Sequence, residues 1–184
     1  MKHLLVRMDR PHLEGLPTVR LPEGYRLETA RDGFEPTWAH VVNAAFLNEE
    51  HTAEKCREQF SSKKRFDPKG MFFVVTPEGE PVATAFAWRD TPEEQECGRV
   101  HWVATVPGQQ GKGLGRAVTL AVLHYLKEHG FARAFLETQP YRLPAIRLYL
   151  SLGLQPTPKD AEHEECWREV MQEIRRLEEE GGGR

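Results

Sequence analysis

The chain has 184 residues, of which 39% are hydrophobic and 29% are charged, and its net charge at pH 7 is −3. This length suits one domain, and the apolar content is sufficient for a packed core, which excludes a disordered chain. A general nucleic-acid binder carries a basic surplus, so the slight acidity argues against a nucleic-acid partner.

Cysteine usage and hydropathy favour a cytoplasmic protein. The three cysteines, Cys56, Cys97 and Cys166, are widely spaced and form no CxxC pair, which predicts neither a disulfide framework nor a zinc site. The first residues lack the apolar core and cleavage site of a signal peptide. No apolar run is long enough to span a bilayer. We therefore expect a cytoplasmic location, no membrane partner and no metal.

The first part of the chain predicts an arm, a strand and two helices. Residues 1–23 are rich in Pro and Gly and are typical of an extended arm, with a short strand at Leu4 to Met8. Alternation over Tyr25 to Thr29 predicts a half-buried strand. Helical spacing of apolar residues from Trp38 to Phe46 predicts a helix. A second helix is expected from Thr52 to about Ser61, with Thr52 as its N-cap.

Strands and helices alternate in the remainder of the chain. Residues 71–88 are predicted to form a hairpin around Pro77-Glu78-Gly79, because two β-rich runs flank a turn signal. The later elements are a strand at Val100 to Val106, a long helix ending at His129-Gly130, a strand at Phe131 to Thr138, a helix at Pro144 to Leu152 and an amphipathic helix at 160–180.

This order of elements predicts a single α/β (α+β) domain. We divide it into an N-terminal arm at 1–23, a core at 24–158, a C-terminal amphipathic helix at 159–180 and a loose tail at 181–184. The apolar face of the last helix carries Trp167, Val170, Met171, Ile174 and Leu177. It covers the chain's own core, packs in a homodimer or docks another protein, and the sequence leaves these alternatives open.

A glycine-rich loop connects the strand ending at Val106 to the long helix. It reads Gln110-Gly111-Lys112-Gly113-Leu114-Gly115-Arg116. Glycines let backbone N–H groups approach a ligand, and these groups form an anion site together with the helix N-terminus. Lys112 and Arg116 add positive charge, so we expect a phosphate or pyrophosphate ligand. The spacing fits neither the GxxxxGK[ST] nor the GxGxxG pattern.

The loop resembles a known cofactor-binding motif. Through Gln110, Gly113 and Gly115 it fits Q/R-x-x-G-x-G/A, and it is similar to the acetyl-CoA pyrophosphate loop of the GNAT superfamily of N-acyltransferases. A second stretch, from Ala145 to Leu154, resembles the family's A-x-x-L-Y-x-x-x-G-F signature. The two motifs lie in the family's order, separated by a helix and a strand.

The resemblance covers residues 24–156 and implies a GNAT-like fold. That fold has a central mixed, mostly antiparallel twisted sheet of six to seven strands, flanked by helices and splayed at the acyl-CoA site. Members of the family usually finish with a β-hairpin strand, whereas residues 160–180 predict an extra C-terminal helix. The acceptor side of the site therefore cannot be transferred by analogy.

The resemblance also implies which residues hold the cofactor. The backbone of Val103, Ala104 and Thr105 is expected to bind the pantetheine arm, as an added strand would. The pyrophosphate would lie on the loop residues Gln110, Gly111, Lys112, Gly113, Leu114, Gly115 and Arg116. Arg142 stands where the family often has an Asn that supports the cofactor. It contacts a phosphate or a substrate carboxylate, or it faces solvent.

Tyr149 matches the family's tyrosine, which acts as a general acid near the thioester sulfur. The resemblance implies that Tyr149 protonates the leaving thiolate or donates a hydrogen bond to it. The acceptor amine needs a base, and Glu137, at the end of the strand before Tyr149, is the best candidate. A solvent-facing Glu at a strand end is an equal alternative, and His101 and His124 are weaker candidates.

These residues predict an N-acetyltransferase that moves an acetyl group from acetyl-CoA to a primary amine by direct attack. We expect the acceptor to be a small molecule, although small amines, peptide N-termini and lysine all stay open. The alternative is a module that binds acyl-CoA without turnover, as a sensor or an interaction protein.

Overall fold

The computed structural model of the protein describes residues 4–46, 50–89 and 96–181. Contacts divide the chain into a larger unit, His12–Ala134, and a smaller unit, Met1–Pro11 with Phe135–Arg184. Seven strands and five α-helices lie in the described residues. They confirm the predicted α/β class, the number of strands and the C-terminal helix. The single-domain organisation stays a prediction.

The larger unit is built on four strands that lie side by side. In sheet order they are β2 (Arg26–Thr29), β3 (Met71–Val75), β4 (Pro81–Trp88) and β5 (Cys97–Thr105). All three neighbouring pairs are antiparallel. The predicted hairpin is confirmed, because β3 pairs with β4 and Met71 stands opposite Phe86.

Helices cover both faces of these strands. The helices of this unit are α1 (Glu35–Ala45), α2 (Ala53–Cys56) and α3 (Leu114–Glu128). Phe73 and Phe86 pack in the cluster that contains α1, whereas Phe72, on the other face, contacts Tyr125 of α3 at 6.3 Å between ring centroids. Because both faces are covered, β4 is buried along almost its whole length instead of alternating.

The two predicted helices of the first part are present. The helix α1 ends at Ala45, and Phe46, which the periodicity placed inside it, is extended. The Oγ1 atom of Thr52 accepts a hydrogen bond from the N–H of Lys55 at 3.2 Å, which confirms the N-cap of α2. A π-helical segment, Arg57–Ser61, then continues the helix to its predicted end.

The smaller unit contains the remaining strands and two helices. Its strands, in sheet order, are β6 (Arg133–Thr138, in this unit from Phe135 onward), β1 (Val6–Arg10) and β7 (Gln155–Pro156). Strand β1 lies two residues further along the chain than predicted. It pairs antiparallel with β7, which the sequence did not predict.

The helices α4 (Leu143–Ser151) and α5 (Ala161–Gly181) complete the smaller unit. An ion pair between Arg147 and Glu178 joins them at 3.4 Å. In the apolar stripe of α5, Trp167, Val170 and Ile174 are buried. Gly181, which was predicted to begin the tail, still belongs to α5. The other predicted tail residues, 182–184, lie outside the described residues. No described helix combines the length and apolar character needed to cross a membrane.

Candidate functional site

The glycine-rich loop leads from β5 into α3. Gly108, Gly111 and Gly113 have φ angles of 80°, 78° and 79°. This left-handed region costs other residues about 1–2 kcal/mol. A Cβ atom at Gly111 or Gly113 would meet no atom within 4 Å. The backbone conformation therefore requires these glycines, and the space beside them is open to a ligand.

Gly113 is the N-cap of α3 and has no side chain that could accept from the first helical N–H groups. The first four N–H groups of an α-helix lack intrahelical acceptors, and the helix dipole adds positive potential there. Leu114 is buried and anchors this end of the helix in the core. The start of α3 thus offers donors that an anion would satisfy.

Two neutral partners hold Lys112 in the loop. Its Nζ atom donates to Oε1 of Gln109 at 2.7 Å and to the hydroxyl of Tyr25 at 3.1 Å. The Tyr25 hydroxyl itself donates to the same Gln109 oxygen at 2.7 Å. Because neither partner carries a charge, this network fixes the position of Lys112 without neutralising it. The sequence did not identify Tyr25 or Gln109 as site residues.

The side chain of Gln110 forms a hydrogen bond that joins the loop to the strand preceding it. Its Nε2 atom donates to the carbonyl oxygen of Thr105 at 3.3 Å. Thr105 is the last residue of β5, so this bond ties the loop to the strand end. Gln110 thus supports the loop through its side chain, and a ligand contact stays a prediction.

The strand end predicted to bind the pantetheine arm contains a β-bulge. The register of β4 against β5 shifts between Thr84 and Phe86, so that Trp102 and Val103 of β5 stand opposite one residue of β4. Trp102 has a φ of 51° and is, within the described part of the chain, the one non-glycine residue with a positive φ. A bulge takes backbone groups out of the ladder, and strained positions of this kind cluster at functional sites.

Trp102 lies in an aromatic cluster on the α1 side of the larger unit. Its ring centroid is 5.3 Å from that of Trp38 and 4.9 Å from that of His51. The Nε1 atoms of Trp38 and Trp102 are buried and have no hydrogen-bond partner among the described residues. An unmatched buried donor costs about 1–3 kcal/mol.

The structure does not support a catalytic role for His101 or His124, the two weaker candidate bases. Burial, and secondarily the charge of Arg99, lowers the pKa of His101 to about 3, which makes it a very weak base at neutral pH. His124 holds the arm: its Nε2 atom lies 2.8 Å from the carbonyl oxygen of Pro17 and must be the donor, because a carbonyl only accepts. Neither observation supports a catalytic role.

Tyr149 lies in α4 of the smaller unit, with 5% of its surface exposed. Burial raises the pKa of its hydroxyl to about 12, against the opposing charge of Arg142. No described residue accepts a hydrogen bond from this hydroxyl. The hydroxyl is therefore protonated at neutral pH, and its O–H group can donate a hydrogen bond to a ligand.

Arg142 and Glu137 belong to the same unit. Arg142 is the half-buried residue before α4, and its guanidinium lies 5.9 Å from the ring centroid of Tyr141. Glu137 is exposed on β6. Their proposed roles, cofactor contact and base, stay predictions. Among the described residues, no three His, Cys, Asp or Glu side chains cluster as a metal site would require.

The backbone conformation and the packing at position 153 explain why the second motif has a glycine there. Gly153 follows α4 with a φ of 79°, and the Arg10 guanidinium donates to the carbonyl oxygen of Leu152. A Cβ atom at position 153 would collide with that guanidinium. Gly153 therefore lets β1 and the end of the tyrosine-bearing helix approach each other closely.

Comparisons with known proteins agree with this geometry. The model of the acetyltransferase (GNAT) family matches residues 31–154. A mycothiol acetyltransferase of Thermobispora bispora is 35% identical over 158 residues, which cover 81% of this chain and 52% of the relative. That of Thermomonospora curvata is 32% identical over 155 residues, 82% of this chain and 51% of the relative. The chain thus spans about half the length of these curated relatives.

Solved structures show the same fold. A GCN5-related N-acetyltransferase from Sphaerobacter thermophilus has a TM-score of 0.68 at 23% identity, covering 83% of this chain and 48% of that one. The ribosomal-protein-S18-alanine N-acetyltransferase of Escherichia coli has a TM-score of 0.58 at 22% identity, covering 70% and 76%. Together with the family model and the curated relatives, this fold shows that the chain belongs to the GNAT acetyltransferase family.

Proposed function

We propose that this chain transfers an acetyl group from acetyl-CoA to a primary amine of a small molecule. Membership of the GNAT family supports acetyl-CoA as the donor. Relatives named for mycothiol support a small-molecule acceptor. One observation carries the proposal: left-handed glycines, open space beside them and the uncapped start of α3 provide the donors that a pyrophosphate needs.

The loop would hold the cofactor by its phosphates. Backbone N–H groups between Gln110 and Arg116 would donate to the pyrophosphate, and Lys112 would add a charge already fixed by neutral partners. Val103 to Thr105, at the bulge of β5, would pair with the amides of the pantetheine arm. Arg142 is the further proposed contact.

The chemistry is a direct transfer in which the nitrogen–carbon bond forms and the carbon–sulfur bond breaks. The nitrogen loses one proton and the sulfur gains one. A primary amine with a pKa of ~10.4 is mostly protonated at pH 7, which costs roughly 4–5 kcal/mol, so a base is useful. We assign that role to Glu137, and to Tyr149 the protonation of the departing thiolate or the donation of a hydrogen bond to it.

Calorimetric titration with acetyl-CoA and with free CoA tests the cofactor assignment, and a library of amines assayed for released thiol tests turnover. We expect binding of both ligands and thiol release with at least one amine, with the N-acetyl product identified by mass spectrometry. Binding without turnover of any amine would favour the sensor alternative. Absence of binding at millimolar cofactor would overturn the proposal.

Replacing Tyr25 with Phe should weaken acetyl-CoA binding about three- to tenfold. The change removes both hydrogen bonds of the hydroxyl, so Lys112 loses one of its two neutral partners. The ring, whose centroid is 5.6 Å from the Lys112 Nζ atom, is retained. Calorimetry would measure the change in Kd.

A double-mutant cycle controls this prediction. In a Lys112→Met background, Tyr25→Phe should change the Kd less than twofold, because the group that Tyr25 positions is gone. An equal effect in both backgrounds would show that Tyr25 acts independently of Lys112.

A further inference from the structure

Trp102 is the first residue of the bulge in β5. The register places Trp102 and Val103 together opposite Ala85 of β4. A bulge that begins with a left-handed residue usually has a glycine there, because a side chain disfavours that conformation. Here the residue, with a φ of 51°, is a tryptophan. The left-handed backbone costs such a residue about a 5- to 30-fold loss of population, which contacts of the side chain must offset.

The indole ring of Trp102 makes these contacts in the aromatic cluster. Its centroid lies 4.9 Å from that of His51, 5.3 Å from that of Trp38 and 6.1 Å from that of Phe60. All three pairs are edge-on, which is a favourable arrangement for aromatic rings at such distances. Several favourable contacts at one ring therefore stabilise the position of Trp102 against the cost of its backbone.

Two partners of the Trp102 ring are fixed by α1. Trp38 lies on this helix and is fully buried. Asn43, on the same helix, holds the backbone of His51 by two hydrogen bonds. Its amide nitrogen donates to the carbonyl oxygen of His51 at 2.8 Å, and its amide oxygen accepts from the N–H of His51 at 2.8 Å. The ring of Trp102 thus packs against partners that α1 positions.

The polar group of the indole does not take part in this packing. The Nε1 atom of Trp102 is buried and has no hydrogen-bond partner among the described residues. Its contribution to the cluster is therefore that of an aromatic ring. Another aromatic side chain at position 102 should retain the contacts, whereas a small side chain should lose them.

The residues that follow Trp102 are Val103, Ala104 and Thr105, whose backbone is proposed to bind the pantetheine arm. The bulge takes backbone groups of this stretch out of the ladder with β4. We propose that Trp102 is a positioning residue for the cofactor: the cluster holds its ring, and the ring holds the left-handed backbone that keeps these groups available. This inference rests on the proposed function, because it takes the arm of acetyl-CoA as the ligand.

The test compares Trp102→Ala with Trp102→Gly. Both substitutions remove the ring, but only glycine adopts a φ of 51° without strain. Calorimetry should show that Trp102→Gly binds acetyl-CoA about tenfold more tightly than Trp102→Ala. Trp102→Phe, which keeps an aromatic ring, should bind within about threefold of the wild type. If Trp102 only packed the core, the alanine and glycine variants would lose stability and bind acetyl-CoA equally well.

Val100→Ala and Val100→Gly are the matched controls. Val100 is a buried residue of the same strand and has a negative φ. Glycine weakens the interior of a strand except where φ is positive. In urea titrations, glycine should therefore be the less stable variant at position 100 and the more stable variant at position 102.

Equal affinities of Trp102→Ala and Trp102→Gly for acetyl-CoA would overturn the inference. A Trp102→Phe variant that loses as much affinity as Trp102→Ala would also overturn it, because the ring contacts would then not be what holds the bulge. If the wild type itself does not bind acetyl-CoA, the proposed function fails and the inference fails with it. The order of stabilities at position 102 requires no ligand, and a glycine variant less stable than the alanine variant would overturn the inference by itself.

Discussion

Valine at position 113 should abolish measurable acetyl-CoA binding, with a loss of affinity of at least about 100-fold. Gly113 has a φ of 79°, a conformation that a β-branched residue avoids. The loop must therefore turn its N–H groups away or place the new side chain in the open space beside the start of α3. Either change removes at least two charge-assisted hydrogen bonds to the pyrophosphate, which accounts for the magnitude.

Gly33→Val is the matched control for this substitution. Gly33 has a φ of 76°, and a Cβ atom there would also meet nothing within 4 Å. Both variants should therefore lose a similar free energy of unfolding, about 1–2 kcal/mol in urea titrations. Calorimetry should show a loss of cofactor binding in Gly113→Val and not in Gly33→Val. Binding within threefold of the wild type in Gly113→Val would show that the loop is not the phosphate site.

Local patterns were sufficient to predict most elements of the fold. The long helix α3 begins at Leu114, within the glycine-rich stretch, and ends before His129-Gly130. Gly130 has the left-handed φ of 82° typical of such an end. The cap at Thr52 also depends on neighbouring residues alone. These features were predictable because their cause lies within a few residues along the chain.

Features that depend on pairing between distant segments were not predictable. The two residues of β7 are too few to show any alternation, and they form a strand because β1 pairs with them. Likewise, Val100 to Val106 reads as an uninterrupted strand, and the bulge at Trp102 arises only from its register against β4. The sequence carries no local signal for either feature.

The candidate site also combines features that the sequence predicts with features that depend on distant segments. The glycines and cations of the loop are visible in the sequence because their spacing is the motif. The contact between Lys112 and Tyr25 is not visible there, because these two residues are 87 positions apart along the chain. Contacts of this kind determine where a charged side chain is held, and they depend on how the segment around Tyr25 and the loop meet in three dimensions.

Phenylalanine at position 149 should lower kcat about 100-fold while changing the Kd for acetyl-CoA less than threefold. The substitution removes one hydroxyl and keeps the buried ring, so packing in α4 is retained. Stabilisation of a developing charge by one positioned donor has about this magnitude. Single-turnover kinetics with the best amine would measure the rate. Tyr141→Phe, which alters an exposed tyrosine just before the same helix, should behave as the wild type.

The pKa of Tyr149 sets how this donor acts and how the rate depends on pH. A hydroxyl with a pKa of about 12 gives up its proton to a thiolate, whose conjugate acid has a pKa of ~8.5, at a cost of roughly 5 kcal/mol. Tyr149 therefore contributes mainly through a hydrogen bond that strengthens as negative charge develops on sulfur. Because the hydroxyl stays protonated, kcat/KM should rise from pH 7 to about pH 10 as the amine loses its proton, with no descending limb. A descending limb in the wild type that disappears in Tyr149→Phe would show that Tyr149 ionises in this range and would contradict the assignment.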